Sequence, residues 1–90
     1  MLRKLSVDRG FTKDLKRQKK RNKNIKKIGT ISLLLTRDGR LPPSYCPHKL
    51  SGEYNGLWEC HVENDWLLIY EINDEEVIFV HTGTHSDLFE

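Results

Sequence analysis

The sequence predicts an α+β domain over residues 1–90, in which an N-terminal strand and a two-helix hairpin pack on an antiparallel sheet of four to five strands. A chain of 90 residues has the length of one domain. Its first part carries apolar residues at helical spacing, whereas the part after a proline-rich connection alternates with a period of two. Helices followed by strands indicate that the helices cover one face of the sheet.

The N-terminal elements are a short strand and a mostly solvated helix. LRKLSV, residues 2–7, alternates polar and apolar side chains and predicts a strand. Asp8 is placed to cap the helix that follows, which we expect over residues 12–21. Phe11 and Leu15 lie four apart and are its few apolar side chains, so most of its surface faces water.

The second helix is predicted to be better buried than the first. Asn24 is a suitable N-cap, and Gly39, after Asp38, supplies a C-terminal stop. Between them, apolar side chains recur at helical spacing at Ile25, Ile28, Ile31, Leu34 and Leu35. The two helices therefore form a hairpin whose second member carries the wider apolar face.

The proline-rich stretch RLPPSYCP, residues 40–47, cannot form a regular helix and begins the strand region. Strands are predicted over residues 45–50, 57–62, 66–72 and 76–82. The stretches SGEYNG and NDEE have the composition of turns between them. The closing SDLFE is too short for more than one helical turn.

Alternation along residues 57–62 assigns side chains to the two faces of the sheet. Trp58, Cys60 and Val62 share one face, and Leu57, Glu59 and His61 share the other. The polar face is expected to be the open one. His61 then lies at a strand end on the exposed side, next to the turn at residues 63–64.

Composition describes a globular chain without a membrane segment, since 37% of the residues are hydrophobic and 31% are charged. No apolar run approaches the roughly 18 residues that span a bilayer, and MLRKLSVDRG lacks the apolar core of a signal peptide. We expect a cytoplasmic protein. The two cysteines, Cys46 and Cys60, are too few for a disulfide scaffold and are expected to be buried thiols.

Charge is strongly segregated along the chain. Residues 1–27 contain 12 Lys or Arg and two acids, a net charge of +10, whereas residues 28–90 have a net charge of −8. A basic segment of this kind suits a polyanion such as RNA, or an acidic protein partner. The residues predicted to make such contacts lie in the hairpin: Lys16, Arg17, Lys19, Lys20, Arg21, Lys23, Lys26 and Lys27.

The four histidines all lie outside the basic helices. If the sheet forms as predicted, three of them converge with Asp65 on its open face: His48, His61 and His85. RNA cleavage needs a base for the ribose 2′-OH and an acid for the departing 5′-oxygen, and histidine suits both roles because its pKa lies near 6.5. Asp65 would orient an imidazole, and Trp66 or Phe89 would stack on a base.

Structural alternatives exist for each of these residues. His48 is an ordinary loop residue after a proline, His85 a cap of the last turn, and Trp66 a core anchor. His81 is a strand residue, and the basic helices are a solvated face. Zinc ligation by Cys46 and the histidines is disfavoured, because the sequence lacks the CxxC and HExxH spacings. We expect neither a metal nor a cofactor.

Two segments resemble the RelE/ParE toxin superfamily, and its YafQ branch in particular. They are HKLSGEYNGLWECHVENDWLLIYEI and VIFVHTGTHSDLF, and FTKDLK is similar to the first helix of that family. The resemblance covers nearly the whole chain. It implies a RelE-like fold, a neutralising antitoxin partner, a toxin that is monomeric when free, and an endoribonuclease that cuts mRNA in the ribosomal A site.

The resemblance also implies roles for individual residues. His48, His61, Asp65 and His85 match positions proposed for acid–base and phosphate chemistry, and Trp66 and Phe89 match positions near the same site. Many relatives carry arginine where this chain has His81, so His81 is assigned to substrate binding without the permanent charge of arginine. Two alternatives remain open: a ParE-like toxin that poisons gyrase, which does not need these histidines, and a non-enzymatic RNA- or protein-binding domain.

Overall fold

A computed structural model describes residues 2–89 and contains one five-stranded sheet with two long helices and a short third one. The elements in chain order are β1 (Lys4–Val7), α1 (Arg9–Lys20), α2 (Lys26–Asp38), β2 (His48–Lys49), β3 (Trp58–Glu63), β4 (Trp66–Ile72), β5 (Glu76–Gly83) and α3 (His85–Phe89). Short 3₁₀ helices at Pro43–Tyr45 and Gly52–Tyr54 flank β2. The predicted α+β class is confirmed; Glu90, the last residue of SDLFE, lies outside the described residues.

The strands follow the spatial order β1-β5-β4-β3-β2. Four of them pair antiparallel as predicted, but β1 pairs parallel with β5, so the expectation of a wholly antiparallel sheet is wrong. The alternation within a strand assigns its faces and carries no information about its neighbour or direction. Parallel neighbours require a long connection between them. The chain between β1 and β5 contains both long helices and the other three strands, so it is long enough to place β5 parallel to β1.

Helix α1 begins at Arg9, three residues before the predicted start, and extends along the part of β5 that β1 leaves uncovered. Asp8 precedes the helix in extended conformation, and its carbonyl, rather than its side chain, accepts from the N–H of Thr12. Asp14 Oδ2 accepts from the backbone N–H of Thr82 at 3.1 Å. The helix thus satisfies a hydrogen-bonding group on the open edge of the strand.

Helix α2 ends as the sequence predicts, but its N-cap is Ile25, one residue after the predicted Asn24. Asn24 Oδ1 accepts from the N–H of Lys26 at 3.1 Å. At the other end, Gly39 has a left-handed φ of 75°, and its N–H bonds to the carbonyl of Leu35. Glycine adopts this conformation without steric cost, which accounts for the stop.

The predicted strand over residues 45–50 is mostly absent. Only His48 and Lys49 pair with β3, and the preceding residues form the 3₁₀ turn Pro43–Tyr45. Pro47 has no N–H to donate to a ladder, and Cys46 has a positive φ of 50°, which is incompatible with a strand. The proline-rich connection therefore shortens β2 to the two residues next to Glu59 and Trp58.

The hydrophobic core lies between the helices and one face of the sheet, called here the helix face. Cys60 lies on this face and is buried, as its alternation predicts, and Trp58 and Val62 pack against the core. The remaining core side chains come from α1, α2, the connection that follows α2, and the strands β4 and β5: Phe11, Ile28, Ile31, Leu35, Leu41, Trp66, Leu68, Tyr70, Val77 and Phe79. None of the helices in residues 2–89 is long and apolar enough to cross a membrane.

The opposite face of the sheet, called here the second face, is less open than predicted. Leu67 and Ile69 on this face are fully buried, and Glu59 is only 5% exposed. The covering segment is the connection between β2 and β3, because Tyr54 from this connection contacts His81 of β5, with ring centroids 6.4 Å apart. Alternation gives the face of each residue but cannot show that a loop covers it.

A truncation in α2 tests the assignment of the core. Leu35 is fully buried, whereas Leu33 in the same helix is 58% exposed. We expect Leu35→Ala to lower the free energy of unfolding by about 2–5 kcal/mol, because it removes buried methyl groups and leaves a cavity. Leu33→Ala is the matched control and should change it by less than about 0.5 kcal/mol. Urea denaturation of both variants measures the difference; equal effects would contradict this packing.

Candidate active site

A histidine–carboxylate pair lies where the β3–β4 turn meets the start of α3. Asp65 Oδ1 accepts from His85 Nδ1 at 2.7 Å and from the backbone N–H of the same residue at 2.9 Å. These two hydrogen bonds, first that of the backbone and then that of the ring, lower the pKa of Asp65. The carboxylate accepts only, so the Nδ1 of His85 carries the proton and its Nε2 is available for chemistry.

A capping box fixes the position of His85 as the first residue of α3. Asp87 N–H donates to Thr84 Oγ1 at 3.1 Å, and the backbone N–H of Thr84 donates to Asp87 Oδ2 at 2.9 Å. Arg21 from the end of α1 binds both carboxylate oxygens of Asp87, at 2.6 and 3.2 Å. The guanidinium of Arg21 holds the pKa of Asp87 well below its usual range.

Two further rings adjoin the pair. The rings of His61, from β3, and His85 have centroids 6.1 Å apart, and the ring of Phe89 lies 6.4 Å from that of His85. Phe89 is 45% exposed and contacts Tyr54 edge-on, with centroids 5.7 Å apart. Two imidazoles, a carboxylate and an accessible aromatic ring thus meet at one end of the sheet.

His48 lies on the same face, one strand farther from His85. It pairs with Glu59 across β2 and β3, and Glu59 is two residues from His61 on the second face. His48 Nδ1 lies 3.0 Å from the carbonyl of Cys46, and its Nε2 lies 3.3 Å from Glu59 Oε1. The structure therefore brings His61, Asp65 and His85 together and places His48 beside them without direct contact with the pair.

His81 has a carboxylate partner of its own. Its Nδ1 lies 2.9 Å from Asp14 Oδ2, and its ring contacts Tyr54. The side chain is 36% exposed, so part of the imidazole faces solvent. Its assignment to substrate binding stays a prediction.

The assignment of Trp66 to substrate binding is wrong. The side chain is fully buried in the core cluster, and its Nε1–H donates to Thr82 Oγ1 at 2.9 Å. The ring has no free face on which a base can stack. Trp66 follows the exposed Asp65 in the chain, but alternation points its ring to the helix face.

Sequence reasoning missed three residues that contact the histidines, namely Asp14, Tyr54 and Glu59. Glu59 alternates with His61 on one strand, so its place on the second face was predictable, although its burial beside His48 was not. Asp14 and Tyr54 belong to α1 and to a loop. No local pattern links either of them to a histidine more than 25 residues away.

The basic residues of the hairpin divide into two groups. Lys27 and Lys23 bind Glu63 of the β3–β4 turn at 2.7 and 3.1 Å, and these hydrogen bonds, first that of Lys27, lower the pKa of its carboxyl group. Arg17 and Arg21 bind Asp87, at 3.9 and 2.6 Å. The other predicted RNA-binding residues are exposed, and no ion pair within residues 2–89 engages them: Lys16, Lys19, Lys20 and Lys26.

The two cysteines differ in environment. Cys60 is buried as predicted, and burial, followed by the charge of Glu59, raises the pKa of its thiol to about 12. Cys46 is exposed, so the expectation of a buried thiol is wrong there. Within residues 2–89, no group of three or more His, Cys, Asp or Glu side chains is arranged to hold a metal ion.

Known proteins resemble the chain over nearly its whole length. Residues 3–90 match the family described as the bacterial toxin of a type II toxin–antitoxin system, YafQ. The mRNA interferase toxin YafQ of Escherichia coli strain K12 is 40% identical over 80 residues, which cover 88% of this chain and 87% of the relative.

Solved structures show the same likeness. The toxin in the crystal structure of the E. coli DinJ–YafQ toxin–antitoxin complex has a TM-score of 0.90 and 36% identity, with both chains covered completely. A metal-bound toxin from Helicobacter pylori has a TM-score of 0.87 and 33% identity, with 99% of this chain and 100% of the other covered.

The fold and these matches define the class of protein, a bacterial toxin of the type II toxin–antitoxin kind. Within that class, the chain belongs to the YafQ family. The resemblance that the histidine motifs predicted is thereby confirmed.

Acidification tests the capping carboxylate next to His85. We expect Asp87→Asn to destabilise the chain at pH 7 by about 1–2 kcal/mol, because it removes the charge of the bidentate arginine pair and leaves one side-chain oxygen to serve both Arg21 and the cap. Because the pKa of Asp87 is lower in the folded state, its contribution is complete above about pH 5. The contribution fades as the pH falls from about 4 toward the folded pKa, so the difference between the two proteins should shrink there.

Urea denaturation at pH 7, 4 and 2.5 measures this dependence. Asp74→Asn, in the exposed turn between β4 and β5, is the matched control and should leave stability unchanged at each pH. A difference for Asp87→Asn that stays constant down to pH 2.5 would contradict the assigned ion pair.

Proposed function

We propose that this chain cuts mRNA within the A site of the ribosome by acid–base chemistry on its histidines and so blocks translation. It is an endoribonuclease of the mRNA interferase class, the activity for which its E. coli relatives are named. The observation that carries the proposed site is the His85–Asp65 pair, which fixes one imidazole tautomer beside a second imidazole and an exposed aromatic ring.

The proposed reaction needs two proton transfers. A base takes the proton of the ribose 2′-OH, the 2′-oxygen attacks the adjacent phosphate, and an acid protonates the departing 5′-oxygen. Imidazoles can supply both transfers near neutral pH, so the chemistry requires no metal. His85 has its Nδ1 tied to Asp65 and presents Nε2 to the substrate, while His48 and His61 are the other candidates for proton transfer and phosphate contact.

The surroundings of the site suit a single-stranded RNA substrate. Phe89 has an accessible ring beside His85, and stacking of a base on such a ring contributes roughly 1–3 kcal/mol. His81 lies at the same end of β5 and, when protonated, adds a cation near the phosphates. Exposed basic side chains at the end of α1, such as Lys19 and Lys20, contact ribosomal RNA in this proposal.

The proposed cellular setting follows from the target. Because the proposed target is the ribosome, we expect the free toxin to act in the cytoplasm, as a monomer. An antitoxin is the partner of a type II toxin, and here we expect a small protein with an acidic or amphipathic segment. Such a segment complements the exposed lysines of the hairpin, which carry no ion pair within residues 2–89.

Removing His85 tests the proposed chemistry. We expect His85→Ala to reduce A-site cleavage on purified, programmed ribosomes by about 10²- to 10⁴-fold, since it removes one proton-transfer group. Primer extension locates the cuts, and antitoxin binding should stay nearly unchanged. Ser86→Ala, in the same short helix, is the matched control and should cut at the intact rate. A folded His85→Ala chain that cuts normally would contradict the site; no cuts by the intact chain would favour the gyrase or binding alternatives.

Charge reversal tests the proposed ribosome contacts. We expect the double variant Lys19→Glu, Lys20→Glu to bind ribosomes more weakly. The slope of log affinity against log salt concentration should become shallower by about one for each phosphate contact that is lost. Lys4→Glu with Arg40→Glu makes the same change of charge at the far end of the molecule and is the matched control. Equal losses in both pairs would indicate that net charge alone drives binding. Arg21 is unsuitable for this test because it holds Asp87.

A further inference from the structure

A cleft between the β2–β3 connection and α3 adjoins the candidate site and, apart from the ring of Phe89, has no part in the reaction described above. Its volume is about 400 Å³. The residues that line it are Ser51, Glu53, Tyr54, Leu88 and Phe89. Pockets for small ligands enclose roughly 300–1,000 Å³, so the cleft is large enough for a nucleobase. The rings of Phe89 and His85 have centroids 6.4 Å apart, so the cleft lies beside the proposed place of cleavage.

Two aromatic side chains line the cleft at right angles to each other. The ring centroids of Tyr54 and Phe89 are 5.7 Å apart, with an angle of 90° between the planes. The hydroxyl of Tyr54 donates to the backbone carbonyl of Leu88 at 3.4 Å, which joins the connection to α3. Phe89 is 45% exposed, so its ring offers a face on which an unstacked base packs.

The loop that carries Glu53 is held in shape by its own backbone. The N–H of Leu50 donates to the carbonyl of Leu57 at 2.8 Å and closes the loop. Within it, the N–H of Asn55 donates to the carbonyl of Gly52 at 3.1 Å. Gly52 has a left-handed φ of 67°, which glycine adopts without steric cost. The backbone at Glu53 is therefore ordered before any RNA binds, which lowers the entropy cost of binding.

Glu53 gives the cleft its charge. It is the only charged residue among the described residues that line the cleft, and no ion pair within residues 2–89 engages it. A carboxylate accepts hydrogen bonds and repels phosphate oxygens, so this cleft does not suit the RNA backbone. It suits a group that offers hydrogen-bond donors on one edge and an aromatic face for stacking.

We propose that the cleft binds a guanine base of the mRNA next to the cut, and that Glu53 selects this base. The inference rests on the proposed function. The guanine stacks on Phe89, and the two carboxylate oxygens of Glu53 accept from its N1–H and its exocyclic N2–H. Single-stranded RNA is read in this way, through stacking on aromatic rings and hydrogen bonds to the Watson–Crick edges of the bases.

The donor pattern of the bases explains the choice of guanine. Guanine has two neighbouring donors on its Watson–Crick edge, which match the two oxygens of one carboxylate. Adenine, cytosine and uracil each place an acceptor next to a donor, so one oxygen of Glu53 would face a lone pair. A polar group left unpaired in this way lowers the affinity for the wrong base. Glu53 is thus a specificity-determining residue that contacts the base and leaves the proton transfers to the histidines.

The test compares Glu53→Gln with Glu75→Gln, which makes the same change in the exposed turn between β4 and β5, at the far end of the sheet. Glutamine offers one donor and one acceptor, a pattern that fits adenine rather than guanine. Single-turnover cleavage is measured on ribosomes programmed with A-site codons that differ only in carrying guanine or adenine at one of the three positions.

We expect the intact chain and Glu75→Gln to cut codons with guanine at one position about 10- to 100-fold faster than the matching adenine codons, as for one good bidentate contact. Glu53→Gln should lose this preference and cut the adenine codon faster than the intact chain does. A folded Glu53→Gln chain that keeps the preference for guanine would overturn the proposal. An intact chain without a preference for guanine at any codon position would do the same.

A second measurement does not depend on cleavage. Guanosine 3′-monophosphate and adenosine 3′-monophosphate are titrated separately into the free chain, and the ring signals of Tyr54 and Phe89 are followed by NMR. We expect the guanine nucleotide to bind about tenfold more tightly to the intact chain, and the difference to vanish in Glu53→Gln. Equal binding of both nucleotides to the intact chain would contradict the pocket. If the intact chain cuts no codon, the proposed function fails, and this titration still judges the pocket separately.

Discussion

Ion pairs between the helical hairpin and the strand ends hold the candidate site in shape. Arg21 binds Asp87 through both oxygens, and Asp87 in turn caps the helix that begins at His85. Exposed ion pairs usually stabilise little, but this one is bidentate, continues into a capping box and involves a carboxylate that is only 15% exposed. A cation near the end of α1 therefore positions the imidazole that the proposed chemistry requires.

The same hairpin secures the turn on the other side of the site. Lys23 and Lys27 share Glu63, which lies between His61 and Asp65 in the chain. The strong positive charge of the N-terminal segment thus has two uses. Part of it binds carboxylates that flank the site, and the part on Lys16, Lys19, Lys20 and Lys26 remains exposed for a polyanion.

Three of the four histidines lie beside a carboxylate, and the pairs differ in how far water reaches them. Asp65 is mostly exposed, Asp14 is 16% exposed and Glu59 is 6% exposed, all measured on the side chain. In His81 and His85 the carboxylate lies against Nδ1, whereas His48 has both ring nitrogens in contact with the protein, Nδ1 with the carbonyl of Cys46 and Nε2 with Glu59.

The sequence by itself determined the fold class and the family, and it proposed most residues of the candidate site. Periodicity placed α2 and β4, Gly39 ended a helix, and the motifs around His61 and His85 carried the family resemblance. These signals are local, because they depend on spacing within one element. Only the tertiary structure decided that β1 runs parallel to β5 and that Trp66 faces the core. It alone paired Glu59 with His48, since burial and contact depend on segments that meet only after folding.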